Sequence, residues 1–208
     1  AVIAYDGAEF FGFQLQTKNG VESVRTVQGE LNKVINKMAK NPSPQIKVVG
    51  ASRTDTGVHA FGQVVHFDLP FNIDPEGVRK GMNTLLPFDV AVNHVEHVSD
   101  DFHARFNTHS KRYIYRVSTT DYKDPFKRKY TGHFHWKLDV TRIRAALPDL
   151  LGEHDFASFA ASGNETATTI RLITRADVDE KPEEHEIVFT FEGNAFLYNQ
   201  IRIMVGVL

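Results

Sequence analysis

Cysteine is absent from the 208-residue chain, which excludes disulfides and thiolate metal sites and fits a reducing compartment. No apolar run approaches the roughly 20 residues needed to cross a bilayer, and no signal peptide is visible, so a cytoplasmic location is expected. Low-complexity tracts, literal repeats and a compositional break that would mark a linker are also missing. Neither sign of charge dominates. The 24 Lys/Arg and 26 Asp/Glu leave a formal net charge of −2, which taken whole argues against a nucleic-acid binder.

What is present reads differently. At 41% hydrophobic and 24% charged, the composition is that of a globular protein with a sizeable core. The charge is unevenly spread. Residues 111–144 hold ten Lys/Arg against three Asp/Glu, and residues 151–195 hold three against ten. A basic segment inside a near-neutral chain can still build an electropositive face.

Periodicity predicts a strand over residues 2–5, then a Gly- and Phe-rich loop to about Gly20. Val27, Leu31, Val34, Ile35 and Met38 recur at helical spacing behind a Thr26 cap. Strands are expected over 46–50 and 64–67. Asp74-Pro75 opens a helix to about Leu86, and alternation over 90–98 predicts a further strand. The second half repeats the order: a strand over 113–117, a helix capped by Asp139, strands over 170–178 and 186–191 joined by an acidic turn, and a helix over 196–208. Each half reads roughly β-α-β-β-α-β, the split-βαβ order, with the second lacking its final strand. The expected fold class is α+β: two split-βαβ, ferredoxin-like halves, residues 1–105 and 106–208, forming one mostly antiparallel mixed sheet with helices on one face and a central cleft.

The segment that carries chemistry is Gly50-Ala51-Ser52-Arg53-Thr54-Asp55-Thr56-Gly57-Val58-His59-Ala60. Connections built for structure alone are usually shorter and less varied. Gly57 permits a backbone that turns Asp55 toward a cleft, while the structural alternative is an Asp-Thr turn bonded to its own backbone. Asp55-Thr56-Gly57 also spells the aspartic-protease triplet. That chemistry needs two carboxylates sharing a proton. One copy exists, apolar residues do not precede it, and Arg53 would favour full ionisation.

The string from Ser52 to Ala60 resembles the active-site motif of the tRNA pseudouridine synthase A family. Four further stretches match that family in order: Tyr5-Asp6-Gly7 with Phe10 to Gln16 and Thr26 to Leu31, then Lys111 to Tyr115, Gly152 to Phe159, and Asn194 to Arg202. The resemblance spans nearly the whole chain. Thr56 stands where Ala is common in the family and Ser52 where Gly is often found. The family also continues past Leu208 into a final strand.

The resemblance implies isomerisation of uridine to pseudouridine at positions 38, 39 and 40 of the tRNA anticodon stem-loop. It implies tRNA as partner, a homodimer, and no cofactor or metal. By analogy Asp55 is the nucleophile, with attack at uracil C6 or ribose C1′ left open. Arg202 matches the position that pairs with this carboxylate, and Tyr113 the active-site tyrosine that stacks on uracil. Arg53 is assigned to phosphate contact or to the gap left by the extruded base. Lys111, Arg112, Lys127, Arg128 and Lys129 are expected on the tRNA backbone. His59 has a structural hydrogen bond as an equal alternative.

Two other readings use the same residues. Tandem RNA-recognition domains without catalysis share the split-βαβ order, but Phe61 to Phe67 matches their aromatic strand signature poorly. A metal hydrolase would draw on the ten histidines, with His133 and His135 on one strand face and His94 and His97 on one helical face. No tight ligand spacing supports it.

Overall fold

Thr26 starts the first long helix as its spacing predicts, its hydroxyl accepting the Gly29 N–H at 3.2 Å. The computed structural model describes residues 1–163 and 166–208. The chain divides into two compact units, Ala1–Thr108 and His109–Leu208.

In the first unit the elements are β1 (Val2–Tyr5), a hairpin of β2 (Thr17–Lys18) and β3 (Val21–Glu22), α1 (Val27–Met38), β4 (Val49–Gly50), β5 (Ala60–His66), α2 (Pro75–Leu85) and β6 (Val90–His94). The hairpin lies in the stretch read from sequence as loop. Strands pair antiparallel in the order β4-β5-β1-β6. The apolar stripe of α1 (Val27, Leu31, Ile35) and Val78 and Met82 of α2 share one core with Ile3 and Val65 of the sheet.

Two strands are shorter than the periodicity predicts: the one over 90–98 stops at His94, and for the one over 46–50 the cause is visible. The expected strand over 46–50 keeps only its last two residues. Asn36 bonds both the N–H and the C=O of Ile46 at 2.8 Å, while Asn32 and Gln28 take the N–H and C=O of Val48. At the other edge of the sheet Asn83 of α2 bonds both backbone groups of Val92 at 2.8 Å. Helix amides thus satisfy edge groups that would otherwise seek a further strand.

The second unit contains β7 (Lys111–Ser118), β8 (Gly132–His133), α3 (Val140–Ala146), β9 (Gly152–Asp155), β10 (Ile170–Lys181), β11 (Glu186–Gly193) and α4 (Gln200–Val207). Strand order is β8-β7-β11-β10-β9, antiparallel except for the two-residue parallel pairing of β8 with β7. Asp139 caps α3, and Pro148 falls in a 3-10 turn that ends it. The last helix begins four residues later than expected, because Asn199 is left-handed at φ 57° and the Gln200 side chain accepts the Leu197 N–H at 2.7 Å.

The architecture is mixed α+β with antiparallel sheets and few helices. Strand pairing among the described residues gives a four-stranded ladder and the β2-β3 hairpin in the first unit and a five-stranded ladder in the second. No described helix is long and apolar enough to cross a membrane.

Candidate active site

The loop from Ala51 to His59 joins β4 to β5 and is tied down along its length. Ala51 donates its N–H to the Val64 carbonyl at 2.9 Å, and the buried Gln63 side chain donates to the Ser52 carbonyl at 2.7 Å. Thr54 is held twice. Its carbonyl accepts the Phe13 N–H at 3.0 Å, and its hydroxyl lies 2.8 Å from the hydroxyl of the buried Tyr5. Asp55 opens a tight turn: its carbonyl accepts the Val58 N–H at 3.2 Å, and Gly57 in that turn takes φ 76°, a conformation that favours glycine. The Gly57 N–H donates to the Phe10 carbonyl at 3.3 Å.

The far end of the loop is fixed by His59. Its Nδ1 accepts the Gly7 N–H at 3.1 Å and lies 3.0 Å from Asp6 Oδ1. One nitrogen cannot accept from Gly7 and donate to Asp6 at once. The Gly7 N–H is fixed in direction by its backbone, so Nδ1 is the acceptor of that bond. His59 therefore has a structural contact. The result is a half-buried Asp55 carried on a loop whose backbone is pinned to residues 5–13, while Arg53 and Thr56 are exposed.

In the second unit, Tyr113 is half-buried on β7, opposite Phe191 of β11. Its ring meets Phe196 edge-on at 5.1 Å, a geometry aromatic pairs prefer. Arg202 lies in the first turn of α4 and is exposed. The reason is phase. Gln200 and Met204 form the buried stripe of α4, and a residue two positions on lies about 200° around the helix from Gln200.

The five basic residues expected on tRNA are placed unequally. Lys111 is half-buried, and Arg128 and Lys129 are exposed. Arg112 pairs with Glu192 at 2.9 Å. Lys127 pairs with Glu186 at 2.8 Å and also donates to the Glu184 carbonyl. Burial would raise the Glu186 carboxyl, but Lys127 and Arg116 outweigh it and hold its pKa below the usual carboxylate range. Arg128 donates to the Pro125 carbonyl.

The histidine alternatives do not assemble. His94 ends β6 and His97 lies beyond it in irregular chain, so the pair shares no helical face. His133 belongs to β8 but His135 lies outside it. Among the described residues, no three His, Asp or Glu gather where they could hold a metal ion. Residue-level reasoning missed Tyr5 and Phe13 as clamps on the Asp55 loop. Their signal in the sequence was confined to the matching stretches Tyr5-Asp6-Gly7 and Phe10 to Gln16.

Comparison with known proteins bears on this site. A family profile described as tRNA pseudouridine synthase matches residues 1–107 and 146–208. The chain is 98% identical over its full length to tRNA pseudouridine synthase A of Leuconostoc mesenteroides and covers 82% of that protein. It is 74% identical to the protein of the same name from Leuconostoc citreum, and 52% identical to that from Lactiplantibacillus plantarum. The alignments take in 208 and 207 residues of this chain and cover 80% and 77% of those proteins. These matches favour a synthase over an RNA-binding module without catalysis. The chain belongs to the tRNA pseudouridine synthase A family.

Proposed function

We propose that this synthase converts uridine to pseudouridine at positions 38, 39 and 40 of the tRNA anticodon stem-loop, with Asp55 as nucleophile. The observation that carries the reading is the mounting of Asp55: a half-buried carboxylate on a turn pinned by Phe13, Tyr5, Phe10 and His59. Reacting groups held this way lose little entropy on reaching the transition state.

The reaction breaks the N1–C1′ bond, turns the uracil and joins C5 to C1′. A proton leaves C5 and N1 gains one, so atoms balance without redox chemistry, cofactor or metal. Asp55 attacks the substrate and stabilises the separated base and sugar. Arg202 is proposed as the cationic partner of this carboxylate. At about 4 Å and an effective dielectric of about 20, such a pair interacts by roughly 4 kcal/mol. Tyr113 stacks on uracil, and its hydroxyl relays the C5 proton. Arg53 contacts phosphate or fills the space of the flipped base, whose extrusion costs a few kcal/mol. Lys111, Arg112, Lys127, Arg128 and Lys129 contact the RNA backbone.

Each unit is read as a split-βαβ half. The strand orders β4-β5-β1-β6 and β7-β11-β10 support this. The enzyme acts as a cytoplasmic homodimer. Incubating it with tRNA that carries uridine at 38, 39 and 40, and then mapping pseudouridine by chemical derivatisation, tests the assignment. Modification at those positions is expected. Binding without isomerisation, or isomerisation elsewhere, would overturn it.

A further inference from the structure

Between β7 and α3 the chain exposes an unusual number of rings. Tyr122, Phe126, Tyr130, Phe134 and Trp136 are 67%, 88%, 51%, 38% and 62% exposed. Apolar surface gathered in this way marks a contact region more often than chance does. Two of them, Phe134 and Trp136, join His133 and His135 in a connected run. His133 donates from Nε2 to the Thr120 carbonyl at 2.8 Å and lies nearly parallel to His135, with centroids 6.3 Å apart. His135 lies 3.7 Å from Trp136, which meets Phe134 at 5.3 Å.

The His133 end of this run borders a pocket lined by Ser118, Lys123, Asp124, Arg128, Thr131 and His133. Two cations and two hydroxyls face one carboxylate there, and Asp124 already accepts the Phe126 N–H at 2.8 Å. Lys129 and Lys137 are exposed nearby in sequence. The stretch lies within residues 108–145, between the two segments that the family profile matches.

We infer that this pocket and its aromatic rim form a second RNA-contact site, separate from the one that holds the target uridine. Lys123 and Arg128 grip a backbone phosphate, with the Ser118 and Thr131 hydroxyls beside it. His135 and Trp136 stack on an unpaired base. Cationic side chains interleaved with exposed rings are the combination that binds unpaired nucleic acid. The charge of the whole 111–144 stretch complements a polyanion and repels a second copy of the same face. The site is remote from Tyr113. Ser118 lies five residues along β7, or roughly 17 Å at about 3.3 Å per residue, so the contact falls on RNA beyond the target nucleoside.

This inference rests on tRNA being the substrate, and its test separates the two claims. Trp136 is the chain's sole tryptophan, so its fluorescence reports on this surface directly. Asp55→Asn protein titrated with tRNA should show saturable quenching whose midpoint matches the affinity from filter binding. The Lys123→Ala/Arg128→Ala pair should weaken that affinity about tenfold and lower the log–log salt slope by about 1. If tRNA binds and tritium release from its uracil C5 proceeds in the native protein while Trp136 emission stays constant, the second site is refuted and the synthase assignment stands. Native affinity in the double variant also refutes it. So does an emission change driven by protein concentration alone, which would mark the face as a contact between copies.

Discussion

A Cβ placed on Gly7 would lie 2.0 Å from the carbonyl oxygen of Val58 and 2.5 Å from its carbonyl carbon. The atoms it would meet are backbone and cannot rotate away. The first turn of the chain therefore sits directly against the tight turn that carries Asp55. Gly7→Ala must push that turn outward. Overpacking of this kind costs about 1–3 kcal/mol, and a displacement near 1 Å at a reacting group costs about a hundredfold in rate. Thermal melting should fall, and kcat should drop about a hundredfold with KM little changed. A native kcat in this variant would show that the position of the turn is irrelevant.

Tyr5→Phe removes one hydroxyl and leaves the ring. The Tyr5–Thr54 bond is 2.8 Å long and Tyr5 is buried. Urea unfolding should show a loss of about 0.5–1.5 kcal/mol. The decrease in kcat should be smaller than for Gly7→Ala, because the Phe13 bond to the Thr54 carbonyl remains. An effect on rate larger than that of Gly7→Ala would contradict this ordering.

The sequence makes some of this arrangement legible and hides the rest, for physical reasons. Thr26, Asp74 and Asp139 announce helix starts because a cap acts within one turn. Alternation in Lys111–Ser118 is equally local. The shortened strand at 46–50 was hidden, since its backbone partners Asn32 and Asn36 come from a helix ten or more residues earlier. Asp55 stood out because an acid, a base, hydroxyls and glycines crowd one connection. The clamps on it did not, because Tyr5 and Phe13 look like ordinary core aromatics until the chain folds back. The exposure of Arg202 depended on where α4 begins, and Asn199 decides that through a left-handed backbone.

Arg25 and Asp89 form a bidentate pair at 2.7 and 2.9 Å. The Arg25 guanidinium also lies 4.1 Å from the centre of the Phe10 ring, a residue that binds the Asp55 turn. The Asp89 side chain is 9% exposed and that of Arg25 34%, so the pair lies between a surface and a buried one. Arg25→Ala should cost about 2–3 kcal/mol in urea unfolding, below the 3–5 kcal/mol of a fully buried pair. Arg25→Lys should recover part of this, since an ammonium keeps the charge but not the two-pronged geometry. Equal stability of all three proteins would contradict the assignment.

His66 faces His103, with ring centroids 4.7 Å apart, and accepts the Ala104 N–H at 3.1 Å. Burial, and then the neighbouring His103, hold its pKa below the ordinary histidine value, against the opposing pull of Asp68. The unfolded chain therefore takes up this proton at a higher pH than the folded one. The stabilisation is full above about pH 6.5 and falls as pH drops through the lowered folded value. Urea midpoints between pH 8 and 5 should decline below about 6.5 in the native protein and less steeply in His66→Gln. Identical profiles would contradict this.

As the proposed nucleophile, the Asp55 carboxylate is expected to perform the chemistry and to be dispensable for binding. Single-turnover release of tritium from tRNA labelled at uracil C5, with affinity measured on the same samples, addresses it directly. The native chain should release tritium, while Asp55→Asn should bind tRNA within about threefold and lose at least about a thousandfold in release rate. Release by Asp55→Asn at the native rate would contradict the account.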